Sequence, residues 1–186
     1  MKDITVRKKY TVSSKYESRL YINDNCEVLL FLRGDVRVSV NGRNYTPEPG
    51  DMRRIIARYG RAGRRIALIG HSWGASTLAL DVLAHPACRG VPVDALVTLD
   101  PVGVRGPRFL LQVRRWLNVY LPYDLAAWSR ENNVARLGRP WEQVAQAGLN
   151  RVPSQLRHAD ARGMFREFGT PFLDMIFSFE GLGGRA

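Results

Sequence analysis

Apolar and polar residues alternate in two different ways along the chain. In the first fifty residues, an apolar run over 28–32 precedes a Gly34-Asp35 turn, and valines then occupy every second position over 36–40. Asn41-Gly42 follows directly, and this dipeptide is typical of a two-residue hairpin turn. Period-two alternation that ends in such a turn predicts antiparallel strands for this segment.

From residue 53 onward, the pattern changes to alternating strands and helices. We predict a basic helix near 53–62, an apolar strand at 65–70, a helix at 74–85 and further strands at 93–99 and 116–121. Short apolar runs that alternate with helix-length amphipathic segments are typical of a parallel sheet covered by helices. The predicted fold class is therefore α/β, a parallel sheet with helices preceded by a short antiparallel β segment.

The composition changes at the same place as the pattern. All four lysines lie before residue 53, whereas nineteen arginines and no lysine follow it. We therefore predict two parts, a β segment over 1–52 and an incomplete α/β domain over 53–186. A natural fusion, a truncated gene and a constructed chimera would each give this sequence, and the residues leave these alternatives open.

The chain has a formal net charge of +11, which is typical of proteins with anionic partners. Its arginines are scattered as singles and pairs without a basic tract, so we expect no nucleic-acid partner. Two cysteines without metal-ligand spacing predict reduced thiols, and we expect neither a metal nor a cofactor. Because no secretory signal and no apolar run of membrane-spanning length is present, we expect a cytoplasmic protein. The residues leave the oligomeric state open.

One short motif carries candidate chemistry. Gly70-His71-Ser72-Trp73-Gly74 fits the pattern G-x-S-x-G and joins the predicted strand at 65–70 to the helix at 74–85. A serine on such a bend is lifted off the edge of the sheet as a nucleophile, and the glycines leave room for the tight turn. The N–H of Trp73, at the start of the helix, would point toward a developing oxyanion. The alternative interpretation is a structural turn in which Ser72 caps the helix.

Residues 53–186 resemble part of an α/β-hydrolase of the esterase, lipase and thioesterase kind. The resemblance implies a catalytic acid and then a histidine that follow the serine in chain order. Asp100, in the segment "VTLDPVG", resembles the acid of the pancreatic-type lipases and is our first choice. Asp124 lies one strand later, at the more common place in this fold, and stays open as the alternative acid.

Three histidines could serve as the general base. His71 lies inside the elbow and cannot turn back onto Ser72, and His85 lies a helix length away from it. His158 lies late in the chain, where the resemblance places the general base. The predicted catalytic residues are therefore Ser72, His158 and Asp100, and the implied substrate is a small-molecule acyl ester or thioester.

The resemblance also implies parts that the sequence does not supply. Complete hydrolases have strands before the elbow, and the loop after one of them gives a second oxyanion donor, often in an H-G motif. No such motif precedes residue 66. We therefore expect the strand at 65–70 to lack a neighbour, and the enzyme to be weak because it has one oxyanion donor fewer.

The N-terminal part resembles a different family. Residues 23–51 are similar to the first motif region of the sugar-sensing cupin domain of AraC-type transcription regulators, on Glu27, Gly34, Gly42, Tyr45 and the turn 49–51. The metal-binding histidines of enzymatic cupins are absent, so this resemblance implies no metal site. We expect the two parts to pack as separate layers or to associate loosely. The alternative functions are a non-catalytic, sugar-type sensing module and an inactive fusion remnant.

Overall fold

A mostly parallel sheet forms the centre of the molecule. The computed structural model describes residues 22–23, 26–31, 38–40, 43–45, 49–63, 65–103, 112–122 and 138–179. Within these residues the sheet has six strands in the spatial order β1-β2-β5-β6-β7-β8, and a separate two-stranded sheet pairs β3 with β4. The strands are β1 Ile22–Asn23, β2 Cys26–Phe31, β3 Val38–Val40, β4 Arg43–Tyr45, β5 Arg65–His71, β6 Val93–Leu99, β7 Val113–Val119 and β8 Leu149–Arg151.

Helices lie between the strands and after the last of them. They are α1 Pro49–Arg61, α2 Trp73–Ser76, α3 Ala161–Met164 and α4 Thr170–Phe179, with π-helical turns at Thr77–Leu83 and Phe165–Gly169 and a short 3₁₀ helix at Pro86–Cys88. The predicted strands at 65–70 and 93–99 and the predicted helix between them are confirmed within a few residues. None of the helices described is both long and apolar enough to span a membrane.

β2 joins the N-terminal part to the rest of the sheet. It pairs in parallel with β5 over its whole length, from Cys26 opposite Arg65 to Phe31 opposite Gly70. Our expectations that β5 would lack this neighbour, and that the two parts would form separate layers or a loose association, are therefore wrong. An apolar run looks the same whichever strand it pairs with, so the sequence did not reveal this partner. The sheet crosses the boundary that we predicted between 1–52 and 53–186.

Within the described residues near the N-terminus, antiparallel pairing occurs in two places, whereas the apolar run that we also predicted to be antiparallel pairs in parallel with β5. β3 and β4 pair antiparallel with Val40 opposite Arg43, which leaves Asn41-Gly42 as the two connecting residues. The antiparallel pairing of the predicted hairpin is therefore confirmed, and its turn at Asn41-Gly42 lies outside the described residues. β1 also runs antiparallel to β2, with Asn23 opposite Cys26.

Both faces of the parallel sheet are buried along β5 and β6. Along β5, alternate side chains enter two different hydrophobic clusters, with Leu68 on one face and Ile69 on the other. The first face is covered by α1 and the helical segment after the elbow, and the second by α3 and α4. A strand buried on both faces needs apolar residues at successive positions. This explains the continuous apolar run from which we predicted the strand at 65–70.

The pairing of β2 with β5 predicts slow exchange of the β2 backbone. We expect the amides of Cys26–Phe31 that bond to β5 to exchange with solvent slowly, like those of Val93–Leu99, because both strands pair in parallel with β5. Native-state hydrogen exchange followed by mass spectrometry measures this. Rapid exchange over Cys26–Phe31 beside slow exchange over Val93–Leu99 would contradict the pairing.

Candidate active site

Ser72 lies on a strained turn between β5 and α2. Its φ of 55° and ψ of −130° fall in a region that residues other than glycine rarely adopt. Neighbouring backbone holds it there, since its N–H donates to the Leu99 carbonyl at 3.0 Å and its own carbonyl accepts from the Val102 N–H at 3.2 Å. Such strain costs on the order of 1–3 kcal/mol and persists only where the surroundings impose it.

The side chain of Ser72 does not cap the helix that follows. Ser72 occupies the N-cap position of α2, but its hydroxyl makes no capping hydrogen bond. The interpretation of this residue as a structural N-cap is therefore wrong. The hydroxyl instead lies 2.9 Å from Nε2 of His158.

Gly70 is required by the close approach of the strand to the helix. A Cβ atom at this position would lie 2.5 Å from Cα and 2.8 Å from the backbone nitrogen of Ala75. Because both contacts are with backbone, no side-chain rotation could relieve them. The glycine before the serine therefore sets how sharply the chain turns at Ser72.

Asp100 follows β6, the strand next to the elbow strand. Its N–H donates to the Val119 carbonyl at 2.6 Å, and its Oδ1 accepts from the Leu121 N–H at 3.1 Å. Its Oδ2 lies 2.6 Å from Nδ1 of His158. The residue is fully buried and has a positive φ of 42°. Both carboxylate oxygens are therefore used, one by the chain after β7 and one by His158.

Ser72, His158 and Asp100 form one hydrogen-bonded chain. The imidazole of His158 lies between the other two, 2.9 Å from the hydroxyl and 2.6 Å from the carboxylate. A carboxylate only accepts hydrogen bonds, so Nδ1 carries the hydrogen and Nε2 is left to accept the hydrogen of the Ser72 hydroxyl. All three residues are buried, and in such a low-dielectric site the interactions between charged groups are strong.

The remaining candidates fall in other places. The Nδ1 of His85 accepts from the Ala87 N–H at 3.1 Å and takes part in a local turn. The alternative acid Asp124 lies outside the described residues.

His71 is a site residue that the sequence analysis missed. Its Nε2 lies 2.6 Å from the carbonyl oxygen of His158, and the two imidazole centroids are 4.8 Å apart. The sequence excludes His71 as the general base and predicts that it packs under the turn. The elbow motif itself holds no signal for a contact with a residue so distant in the chain, and only the fold brings the two together.

Trp73 is the first residue of α2. The first N–H groups of a helix have no partner within the helix, so the Trp73 N–H is suited to an anionic oxygen. A second donor usually comes from the loop after a neighbouring strand, and β2 ends at Phe31 beside Gly70. Leu32-Arg33-Gly34 comes next in the sequence, with arginine where an H-G motif would have histidine, and it lies outside the described residues.

In the part of the chain that the structure describes, no group of three or more His, Cys, Asp or Glu side chains is placed to hold a metal ion. Cys88 is free and buried. Burial raises the pKa of its thiol, and the nearby Arg53 opposes this effect. A thiol with a raised pKa is protonated at neutral pH and is a poor nucleophile.

Residues 29–178 match the model of the alpha/beta hydrolase family. The match covers most of the chain and includes the elbow, so the chain belongs to this family, and a hydrolase-type function follows from that membership. Neither the curated proteins nor the solved structures gave a significant match. The family match begins inside the segment that we compared with the cupin domain, and the cupin resemblance stays a prediction.

The contact at Gly70 predicts that Gly70→Ala destabilises the protein. We expect a loss of about 1–3 kcal/mol in the free energy of unfolding, because the added methyl group would overlap the backbone of Ala75. Chemical denaturation measures this loss. Gly148→Ala is the matched control, since a Cβ atom there would meet only the Trp116 carbonyl oxygen at 4.0 Å. Equal unfolding midpoints for the two variants would contradict the prediction.

Proposed function

We propose that this protein is a serine hydrolase that cleaves a small-molecule ester or thioester, with Ser72 as nucleophile, His158 as general base and Asp100 as the acid that orients it. One observation carries the proposal, namely the continuous hydrogen-bond chain from the Ser72 hydroxyl through both ring nitrogens of His158 to the Asp100 carboxylate. A nucleophile, a base and an orienting group within hydrogen-bond reach of one another are the arrangement that acyl transfer needs.

In the first half of the reaction, the Ser72 hydroxyl attacks the carbonyl carbon of the substrate. Its proton passes to Nε2 of His158, and the carbonyl oxygen becomes an oxyanion. The buried Asp100 carboxylate stabilises the positive charge that forms on the imidazole, to which it is bonded at 2.6 Å. When the tetrahedral intermediate collapses, the alcohol or thiol leaves with the proton from Nε2, and the acyl group stays on Ser72.

In the second half, water replaces the alcohol or thiol. His158 takes a proton from the water, whose oxygen attacks the acyl carbon, and then returns that proton to the Ser72 oxygen as the carboxylic acid leaves. Ester and thioester differ only in the group that leaves in the first half. The residues that carry the proposal therefore fit both substrates.

The Trp73 N–H is the proposed donor to the oxyanion. In α/β-hydrolases the residue after the nucleophile supplies one donor, and the loop after a neighbouring strand supplies another. β2 is that neighbour in this sheet. The chain that follows β2 is therefore the candidate source of the second donor. A hydrolase that lacks one such donor loses about 10²–10³ in rate.

Removal of the proposed nucleophile or base should abolish activity. We expect Ser72→Ala and His158→Ala to lose hydrolysis of 4-nitrophenyl butyrate, because no nucleophile or no proton acceptor is left. Ser72→Ala should also fail to gain the mass of a fluorophosphonate, which binds covalently to activated serines. Intact-mass spectrometry and an absorbance assay measure the two effects. Unchanged hydrolysis in either variant would reject the proposal.

Replacement of the proposed acid should slow the reaction without abolishing binding. We expect Asp100→Asn to lower kcat by about 10⁴-fold, since an amide can hold His158 in the wrong tautomer. Asp94→Asn is the matched control, because Asp94 lies at the opposite end of the same strand. Its carboxylate accepts from the Ile66 N–H at 2.8 Å and from Arg114 at 3.1 Å, so its loss should lower stability and leave kcat unchanged. If kcat of Asp100→Asn stays as close to the wild-type value as that of Asp94→Asn, Asp100 is not the orienting acid.

A further inference from the structure

We propose that His71 is a positioning residue, which holds the general base His158 in place through its backbone. The Nε2 atom of His71 lies 2.6 Å from the carbonyl oxygen of His158. A carbonyl oxygen only accepts hydrogen bonds, so Nε2 carries a hydrogen and donates it. The inference rests on the proposed function, because it gives His71 a part in placing the base of that reaction.

The segment that carries His158 has little regular structure to hold it. β8 ends at Arg151 and α3 begins at Ala161, and His158 lies between them. The backbone hydrogen bonds nearby are local, such as the bond from the Asp160 N–H to the Arg157 carbonyl at 2.9 Å. The bond from His71 instead ties this segment to the end of β5, a strand in the middle of the sheet.

Two contacts from the sheet help to hold the imidazole of His158 in place. Asp100 holds Nδ1 of the ring at 2.6 Å, and His71 holds the main chain of the same residue at 2.6 Å. His71 ends β5 and Asp100 follows β6, so both contacts start from the same edge of the sheet. The rings of the two histidines also pack against each other, with centroids 4.8 Å apart and a tilt of 36°.

Burial makes the bond from His71 difficult to replace. Only 8% of His71 and 5% of His158 are exposed. A buried carbonyl that loses its donor has little access to water, so the backbone would move to find another partner. A shift of about 1 Å in a catalytic group can lower the rate by about 10²-fold. We therefore expect the loss of this bond to slow the reaction while the fold is kept.

Three substitutions distinguish the effect of the N–H donor of His71 from the effect of its side-chain size. His71→Gln keeps an N–H donor at about the distance of Nε2 from Cβ, His71→Asn is polar but too short, and His71→Phe keeps a ring without a donor. We expect His71→Gln to stay close to the wild type. The other two variants should lose about tenfold to about 100-fold in kcat for 4-nitrophenyl butyrate and in the rate of fluorophosphonate labelling, with KM little changed.

A spectroscopic measurement follows the position of His158 without any substrate. The hydrogen on Nδ1 of His158, in its short bond to Asp100, should give a strongly deshielded proton resonance. We expect this resonance to persist in His71→Gln and to broaden or vanish in His71→Asn and His71→Phe. His85→Phe is the control, because the hydrogen bond that His85 Nδ1 accepts comes from the nearby Ala87 N–H, and it should leave both resonance and rate unchanged.

The outcomes separate this inference from the proposed function. If the fluorophosphonate labels the wild type, and kcat and the labelling rate fall in His71→Asn and His71→Phe but not in His71→Gln, both the hydrolase proposal and the positioning role are supported. A labelled wild type whose three His71 variants behave alike overturns the positioning role and leaves the hydrolase proposal standing. If the fluorophosphonate does not label the wild type but the Nδ1 proton resonance still depends on a donor at residue 71, the hydrolase proposal is rejected. The contact between His71 and His158 is then supported on its own. If His71→Phe fails to fold, the comparison of His71→Gln with His71→Asn decides.

Discussion

The pairing of β5 with β6 determines where the candidate site lies. His71 lies opposite Leu99, and the N–H of Ser72 continues the ladder by donating to the Leu99 carbonyl at 3.0 Å. Parallel strands end at the same edge of a sheet, so the residues that follow β5 and β6 emerge side by side. This register places Ser72 and Asp100 close enough to share one imidazole, and a slip of one residue would turn the two side chains to opposite faces.

The same groups that define the site also stabilise the sheet. The Asp100 carboxylate orients His158 and accepts from the Leu121 N–H after β7. Deeper in the sheet, Thr98 and Asn118 hydrogen-bond across β6 and β7, and Asn118 reaches Asn150 on β8. Buried polar groups of this kind are costly when a partner is lost. Stability and site geometry are therefore coupled along the strands that end at the site.

The sequence predicted those features whose causes lie close together in the chain. The elbow could be recognised because its strand, glycines and helix are contiguous, and Asp100 could be proposed because it ends the next strand. His158 lies far from both in the chain, and it could be proposed as the base only from the family's chain order and the small number of histidines. The parallel pairing of β2 and the contact of His71 with His158 could not be predicted, because each depends on a distant partner.

The backbone of Ser72 has a consequence for the residue type found there. At a φ of 55° and a ψ of −130°, glycine would be less strained than serine, since it has no Cβ atom. A chain selected only for stability would therefore tend to acquire glycine at this position. The hydroxyl that serine keeps there comes at a thermodynamic disadvantage, and the rest of the domain must be stable enough to absorb it.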